Sequence, residues 1–252
     1  MKNILILSII ILTGNITFSQ NNLPEQFIDA DKLYAEGKFD KAAEKYEKLA
    51  AEGYMSPELF FNAGNAFYRL NKIGKAIYYY EKARMLNPGD EDINYNLEMA
   101  RLRVKNLPPE VPEIFPVRMF KKIVDAKSPD FWGILSLSLF ILSLILFFLY
   151  YTAKTSGNKK IRFSASAVTL FLFILSFTFF QYRMSEINSR DKAVTISSEI
   201  TGKSSPDASA GDLFKIYEGY IVKIESKNGD WYEIKLSDGR KAWVKKDDLM
   251  IL

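Results

Sequence analysis

"NGDWYEIKLSDGRKAWVKKDDL", residues 228–249, alternates apolar and polar side chains on both sides of Asp238-Gly239. A period of two marks a half-buried strand, and Asp-Gly between two such runs is a hairpin signal. A two-residue turn sets Leu236 opposite Lys241, Ile234 opposite Trp243 and Tyr232 opposite Lys245. In that register Trp243 is a core residue on the face of Tyr232, Ile234 and Leu236. Trp231 lies on the other face with Glu233 and Lys235, and these three are the expected protein-binding residues of the module. The alternative for Trp231 is a partly packed surface ring. Further strands are expected at AVTIS, DLFKIYEG, YIVKIES, DWYEIKL and KAWVKK, with KSSPDASAGD (203–212) as a loop, so residues 183–252 form an all-β unit.

Just upstream stand two runs that no soluble β-unit needs. Phe131–Tyr151 and Phe163–Tyr182 carry no charge. The first is about 31 Å long as a helix, enough to cross a hydrocarbon core. Trp132, Tyr150, Tyr151 and Tyr182 sit near the ends, where amphipathic rings favour the interface. The connection 152–162 forces a helical hairpin. Its Lys154, Lys159, Lys160 and Arg162, with no acid, favour the cytoplasm. Basic residues flank the outer ends too, so an export signal is the stronger argument. MKNILILSIIILTGNITFSQ pairs Lys2 with a short apolar stretch and small residues at Thr17 and Ser19, the secretory pattern over residues 1–19. An uncleaved N-terminal anchor is the alternative. Either way the next region is exported, and the hairpin returns residues 183–252 to the same, periplasmic side.

Residues 20–106 are helical in pattern. AEGKFDKAAEKYEKLA and RLNKIGKAIYYYEKAR align at an offset of 34, pairing Phe39 with Ile73, Lys41 with Lys75, Ala42 with Ala76, Tyr46 with Tyr80 and Lys48 with Lys82. Two helices per 34 residues is the tetratricopeptide period. The second copy resembles that repeat at Phe60, Ala63-Gly64, Phe67, Ala76, Tyr80, Ala83 and Pro88. Gly64 and Ala76 are small where the helices cross, the three rings fill the space between, and Pro88 cannot continue a helix. The first copy fits at Ala30, Leu33, Ala42, Tyr46 and Leu49, and DEDINYNLEMARLR supplies a capping helix. The resemblance implies a concave protein-binding groove lined by the first helix of each repeat: Phe27, Asp31, Tyr34, Phe61, Asn65, Tyr68 and Arg69. Asn65 matches one position of a carboxylate clamp, but Asp31 stands where a second Asn belongs, which argues against one. The bland alternative is that these side chains pack the interior.

NLPPEVPEIFP breaks the repeat with four prolines and opens a 107–130 linker. Within it Met119, Phe120, Ile123 and Val124 share a helical face, with Lys121, Lys122 and Lys127 elsewhere. That suits an interfacial helix on anionic membrane lipid, with a plain connector as the alternative.

Composition closes several routes. The chain has 252 residues, room for two or three domains, and a net charge of +4 that gives nucleic-acid binding no support. It holds no Cys and no His. Disulfides, thiol nucleophiles and the commonest general base and metal ligand are therefore absent. No catalytic constellation, cofactor or metal site is expected, with carboxylate-only or lysine-based chemistry as the residual alternative.

The C-terminal stretch resembles bacterial SH3-like domains, whose hairpin reads Asp-Trp-Tyr, Asp-Gly, Gly-Trp-Val. Here Ala242 replaces that last Gly. The whole order is a signal peptide, a tetratricopeptide repeat domain, transmembrane helices at 131–151 and 163–182, and an SH3-like barrel. With SSPDASAGDLFKIYEGYIVKIES and GDWYEIKLSDGRKAWV, it resembles the BatE family of the Bat aerotolerance group of Gram-negative bacteria. The resemblance implies partners more than chemistry: von Willebrand factor A-type Bat proteins, a second repeat protein and a linked MoxR-type ATPase at the inner membrane. The functional expectation is a non-enzymatic membrane-anchored scaffold. The alternative is an envelope sensor whose SH3-like domain binds peptidoglycan.

Overall fold

A computed structural model describes residues 25–252 except 110 and 113; the export signal read at 1–19 lies outside these. Five helices open the described chain: α1 (Glu25–Ala35), α2 (Phe39–Ala51), α3 (Pro57–Arg69), α4 (Ile73–Leu86) and α5 (Glu91–Arg101). Each pair is antiparallel because only a short turn joins its members. The Ser56 hydroxyl accepts from the Leu59 amide at 3.1 Å, with Pro57 behind it at the first helical position. Asp90 caps α5 through the amides of Asp92 and Ile93 at 3.0 and 3.1 Å. Helix α4 stops at Leu86 because Pro88 pushes Asn87 to φ −134°. A Cβ on Gly64 would stand 2.5 Å from the Tyr80 ring, so the α3–α4 crossing is as close as its small residues suggest. Phe60, Phe67, Ala76 and Tyr80 are buried there.

Helix α6 (Phe115–Val124) leads to α7 (Pro129–Thr152) and α8 (Ser156–Asn188), an antiparallel pair. Both are long and apolar enough to cross a membrane. Small residues form their seam. Ser143 donates to the Ser166 carbonyl at 3.2 Å and Ser166 to the Ser143 carbonyl at 3.1 Å, both side chains buried. Such close polar contacts hold helices together where hydrophobic drive is lacking. Large apolar side chains such as Ile134 and Phe171 face outward. The connection is shorter than the 152–162 loop read from composition: α8 begins at Ser156, so Lys159, Lys160 and Arg162 sit on its first turns.

The C-terminal unit is a seven-stranded antiparallel sheet curled in the order β3-β2-β6-β5-β4-β1-β7. Its strands are β1 (Lys192–Thr195), β2 (Glu199–Lys203), β3 (Asp212–Tyr217), β4 (Ile221–Asn228), β5 (Trp231–Lys235), β6 (Lys241–Lys245) and β7 (Leu249–Ile251). Five match the expected runs. The other two, β2 and β7, fall outside the expected runs: β2 has one large apolar side chain, Ile200, and β7 has three residues.

The hairpin register is one residue away from the expected one. Trp243 pairs with Glu233, Ile234 with Ala242, Tyr232 with Val244 and Trp231 with Lys245. The turn decides this. Leu236 N–H donates to the Arg240 carbonyl at 2.9 Å and Gly239 N–H to Leu236 at 3.0 Å, enclosing a three-residue loop, Ser237-Asp238-Gly239. Gly239, at φ 91°, takes the left-handed position of such a loop. One added loop residue slides the pairing by one and turns every side chain over. Trp243 is therefore not core. Ala242 and Val244 are, with Ile234 and Leu236. The space that a Gly at 242 would leave comes from β2 instead, since a Cβ on Gly202 would meet that of Ala242 at 2.6 Å.

The sheet does not stand apart from the helices. Helix α4 is apolar on nearly every side, with Ile73, Ala76, Ile77, Tyr78, Tyr79, Tyr80 and Ala83 all buried. One face packs in the array. The other is covered by β1, whose Val194 joins the array core along with Ile221, Met250 and Leu252. The Gly74 amide donates to Glu218 at 2.7 Å. The Tyr220 hydroxyl donates to the carbonyls of Lys105, at 3.1 Å, and Asn106. Apolar side chains on two faces of one helix need cover on both, and here the second domain supplies the cover that the array leaves open.

Candidate interaction faces

The seven groove residues lie on α1 and α3 as expected, but not all face outward. Phe27 is buried against Tyr46, with ring centroids 5.9 Å apart. The Asp31 carboxylate accepts from the Tyr46 hydroxyl at 2.5 Å and from Asn62 Nδ2 at 3.0 Å. One repeat later, Asn65 Oδ1 accepts from the Tyr80 hydroxyl at 2.7 Å and from Asn96 Nδ2 at 3.0 Å. The two triads superpose position by position at the 34-residue offset. They bolt each repeat's first helix to its second and to the next repeat. Burial and Asp31 push the Tyr46 phenol far above its ordinary range, and burial does the same for Tyr80, so both phenols remain protonated donors. Tyr34, Phe61 and Tyr68 are half-buried, and Arg69 is exposed. The Arg69 guanidinium stacks 4.4 Å from Phe39, and that of Arg103 4.4 Å from Tyr68.

On the SH3-like unit, the corrected register brings Trp243 to the face of Trp231, Glu233 and Lys235. Trp231 and Trp243 are diagonal neighbours across β5 and β6, a spacing of about 7–8 Å that large rings can bridge. Both are half-buried. Glu233 accepts from Ser226 at 3.0 Å, and Lys203 pairs beside Trp243 on β2. Lys235 and Lys241 both reach Glu225. The face thus carries two half-buried indoles with charges of both signs around them. A two-residue turn would place Trp243 inward; the Gly after Ser-Asp is equally the signature of the three-residue loop that turns it outward.

A third polar cluster sits where the array, the hairpin and the sheet meet. Arg183, buried at the end of α8, donates to Asp125 at 2.9 Å, to Glu186 at 2.7 Å and to the Met85 carbonyl at 2.7 Å. Burial holds the Asp125 carboxyl above its usual range despite Arg183. Nearby Glu81, 3% exposed, is held by Arg84 at 2.6 Å and Arg101 at 3.2 Å. These contacts occupy both terminal nitrogens of Arg183 and leave its buried Nε without a partner among the described residues, and the cluster reads as a structural joint. Among the described residues no His, Cys, Asp and Glu group could hold a metal ion.

Residues 203–250 match the family of bacterial SH3 domains. Residues 57–90 match the tetratricopeptide repeat. No curated protein matches the chain. The tetratricopeptide region, two apolar helices and SH3-like sheet form the architecture, and both matched modules are of kinds that typically bind rather than catalyse. The match to 57–90 spans α3 and α4 and ends at Asp90, the cap of α5.

Proposed function

We propose that this protein is a non-enzymatic scaffold anchored in the inner membrane of a Gram-negative bacterium, with both soluble modules in the periplasm. The observation that carries the reading is the docking of the SH3-like sheet on α4, at the end of the hairpin where α7 begins and α8 ends. A rigid pair of binding modules held at one membrane surface presents two faces at fixed separation, which favours simultaneous capture of one partner or assembly. Tyr34, Phe61, Tyr68 and Arg69, with Arg103, would contact an extended segment in the repeat groove. Trp231, Glu233, Lys235 and Trp243 would contact a second partner. The resemblance to the BatE family suggests that these partners are von Willebrand factor A-type Bat proteins and a second repeat protein, in a complex linked to aerotolerance or envelope stress.

Peptidoglycan is the second reading, favoured by two half-buried indoles on one face of the sheet, since flat apolar sugar faces stack on such rings. Sedimentation with isolated cell wall separates the two. A scaffold leaves the full chain in the supernatant, whereas a wall-binding sensor pellets and loses that property in Trp231→Ala. Photo-crosslinking from Tyr68 and Trp243 in native membranes then tests the scaffold: bands from both positions to protein partners support it, and their absence from both refutes it.

A further inference from the structure

Helix α6 divides its apolar residues between two surfaces. Phe120 packs on Phe179 and Tyr182 of α8, at 5.7 and 5.2 Å, and Val124 is fully buried. The Trp132 indole meets Phe179 edge-to-face at 4.9 Å and donates to the Val124 carbonyl at 2.9 Å. Thus α6 is fastened across the top of the hairpin. Its other apolar edge has no cover: Phe115, Met119 and Ile123 are 67, 53 and 44% exposed. With Phe131, Trp132 and Leu135 of α7 they line an open groove of about 920 Å³.

Three cations border the same groove, Arg118, Lys122 and Lys127, and no carboxylate among the described residues lines it. Neither Arg118 nor Lys122 meets an acid among those residues, and Lys127 rests over the Phe131 ring at 5.7 Å. The nearest carboxylate on this element, Asp125, is turned to Arg183. The lining reaches down α7 to Leu135, in the apolar span, and its cations come from α6 and from Lys127 just before α7. An acyl chain suits the apolar lining and a phosphate the cations, and the volume is of ordinary ligand-site size.

We propose that this groove binds one anionic phospholipid, its acyl chain against Met119, Ile123 and Leu135 and its headgroup phosphate on Arg118, Lys122 and Lys127. The proposal rests on the membrane-spanning reading of α7 and α8. A basic groove at a helix top selects anionic headgroups by charge, each Lys or Arg being worth about a factor of five. Lipid held there would also brace α6, and through Phe120 and Arg183 the seat of the repeat array.

Trp132 lines the groove, so it reports occupancy. The full chain with Trp231→Phe and Trp243→Phe keeps Trp132 as its one indole, three Trp being present in all. It is reconstituted in phosphatidylcholine vesicles holding equal fractions of brominated phosphatidylglycerol or brominated phosphatidylcholine. The expected result is stronger quenching by the brominated phosphatidylglycerol, with the two becoming equal in Arg118→Gln/Lys122→Gln/Lys127→Gln. Equal quenching before those changes, or selectivity surviving them, overturns the site and leaves the groove to another occupant such as an acidic partner helix. Quenching by neither lipid overturns the spans and the site together. Mass spectrometry of lipid retained by the otherwise unaltered chain from mixed vesicles gives an independent reading. Retained phosphatidylglycerol that disappears in the triple variant supports the site, and equal retention of both lipids refutes it.

Discussion

Gly219 and Gly239 form a matched pair for measuring how firmly the SH3-like unit is docked. Both have positive φ, 90° and 91°. A Cβ at Gly239 meets nothing within 4 Å, whereas one at Gly219 would meet Val104 at 2.7 Å and Ile77 at 2.9 Å. Both residues belong to the helical array, Ile77 on α4 and Val104 just after α5. Substitution by Ala at either glycine carries the left-handed backbone cost of about 1–2 kcal/mol. Only Gly219→Ala adds overpacking between the domains, about 1–3 kcal/mol more. Urea unfolding of the full chain in detergent, followed by tryptophan fluorescence, reads mainly the sheet, because Trp231 and Trp243 lie there. Gly219→Ala should unfold at lower urea than Gly239→Ala. Val104→Ala should recover part of the difference, since it vacates the atoms that clash, and coupling between touching residues of about 0.5–3 kcal/mol is usual. Equal midpoints for the two Gly variants, or additive effects of Gly219→Ala and Val104→Ala, would refute the docked arrangement.

Ile234→Ala, at a fully buried position, should destabilise the sheet by about 2–5 kcal/mol. Trp231→Ala and Trp243→Ala, on the outward face, should each cost well under that and weaken partner crosslinking instead; a Trp243→Ala sheet that no longer folds would restore the two-residue turn. In the array, Ala76→Trp should cost at least about 1–3 kcal/mol by prising α3 from α4, while exposed Lys72→Ala stays within about 0.5 kcal/mol, both read by thermal unfolding. For topology, single Cys residues at Asn62, Gly157 and Lys227 are probed on spheroplasts with an impermeant maleimide. Labelling at 62 and 227 but not 157 is expected, and labelling at 157 alone would invert the orientation.

Most elements were legible in the chain, β2 and β7 excepted. Uncharged runs of about twenty residues announce helices that no small domain can bury. The 34-residue offset fixes which helices pair, and small residues at Gly64 and Ala76 mark where they cross. The seven groove positions were assigned by helix face alone, and helix face says nothing about hydrogen bonds. Asp31 and Asn65 turned out to accept from Tyr46 and Tyr80, partners 15 residues away. The repetition of Asp31, Tyr46 and Asn62 as Asn65, Tyr80 and Asn96 was present in the sequence as a signal that these polar residues serve the repeat itself. The hairpin register escaped for a different reason. Asp-Gly fits a two-residue turn and the end of a three-residue loop alike, and pairing with β2 and β4 selects between them by burying Val244 rather than Trp243. Local pattern determines elements because periodicity acts over a few residues. Which faces remain open depends on what lies across them: β1 covers the outer side of α4, α8 takes Phe120 from α6, and Met119 and Ile123 are left facing a groove. Those outcomes require residues more than a hundred positions apart in some cases, such as Gly74 and Glu218, to meet, and only the tertiary structure brings them together.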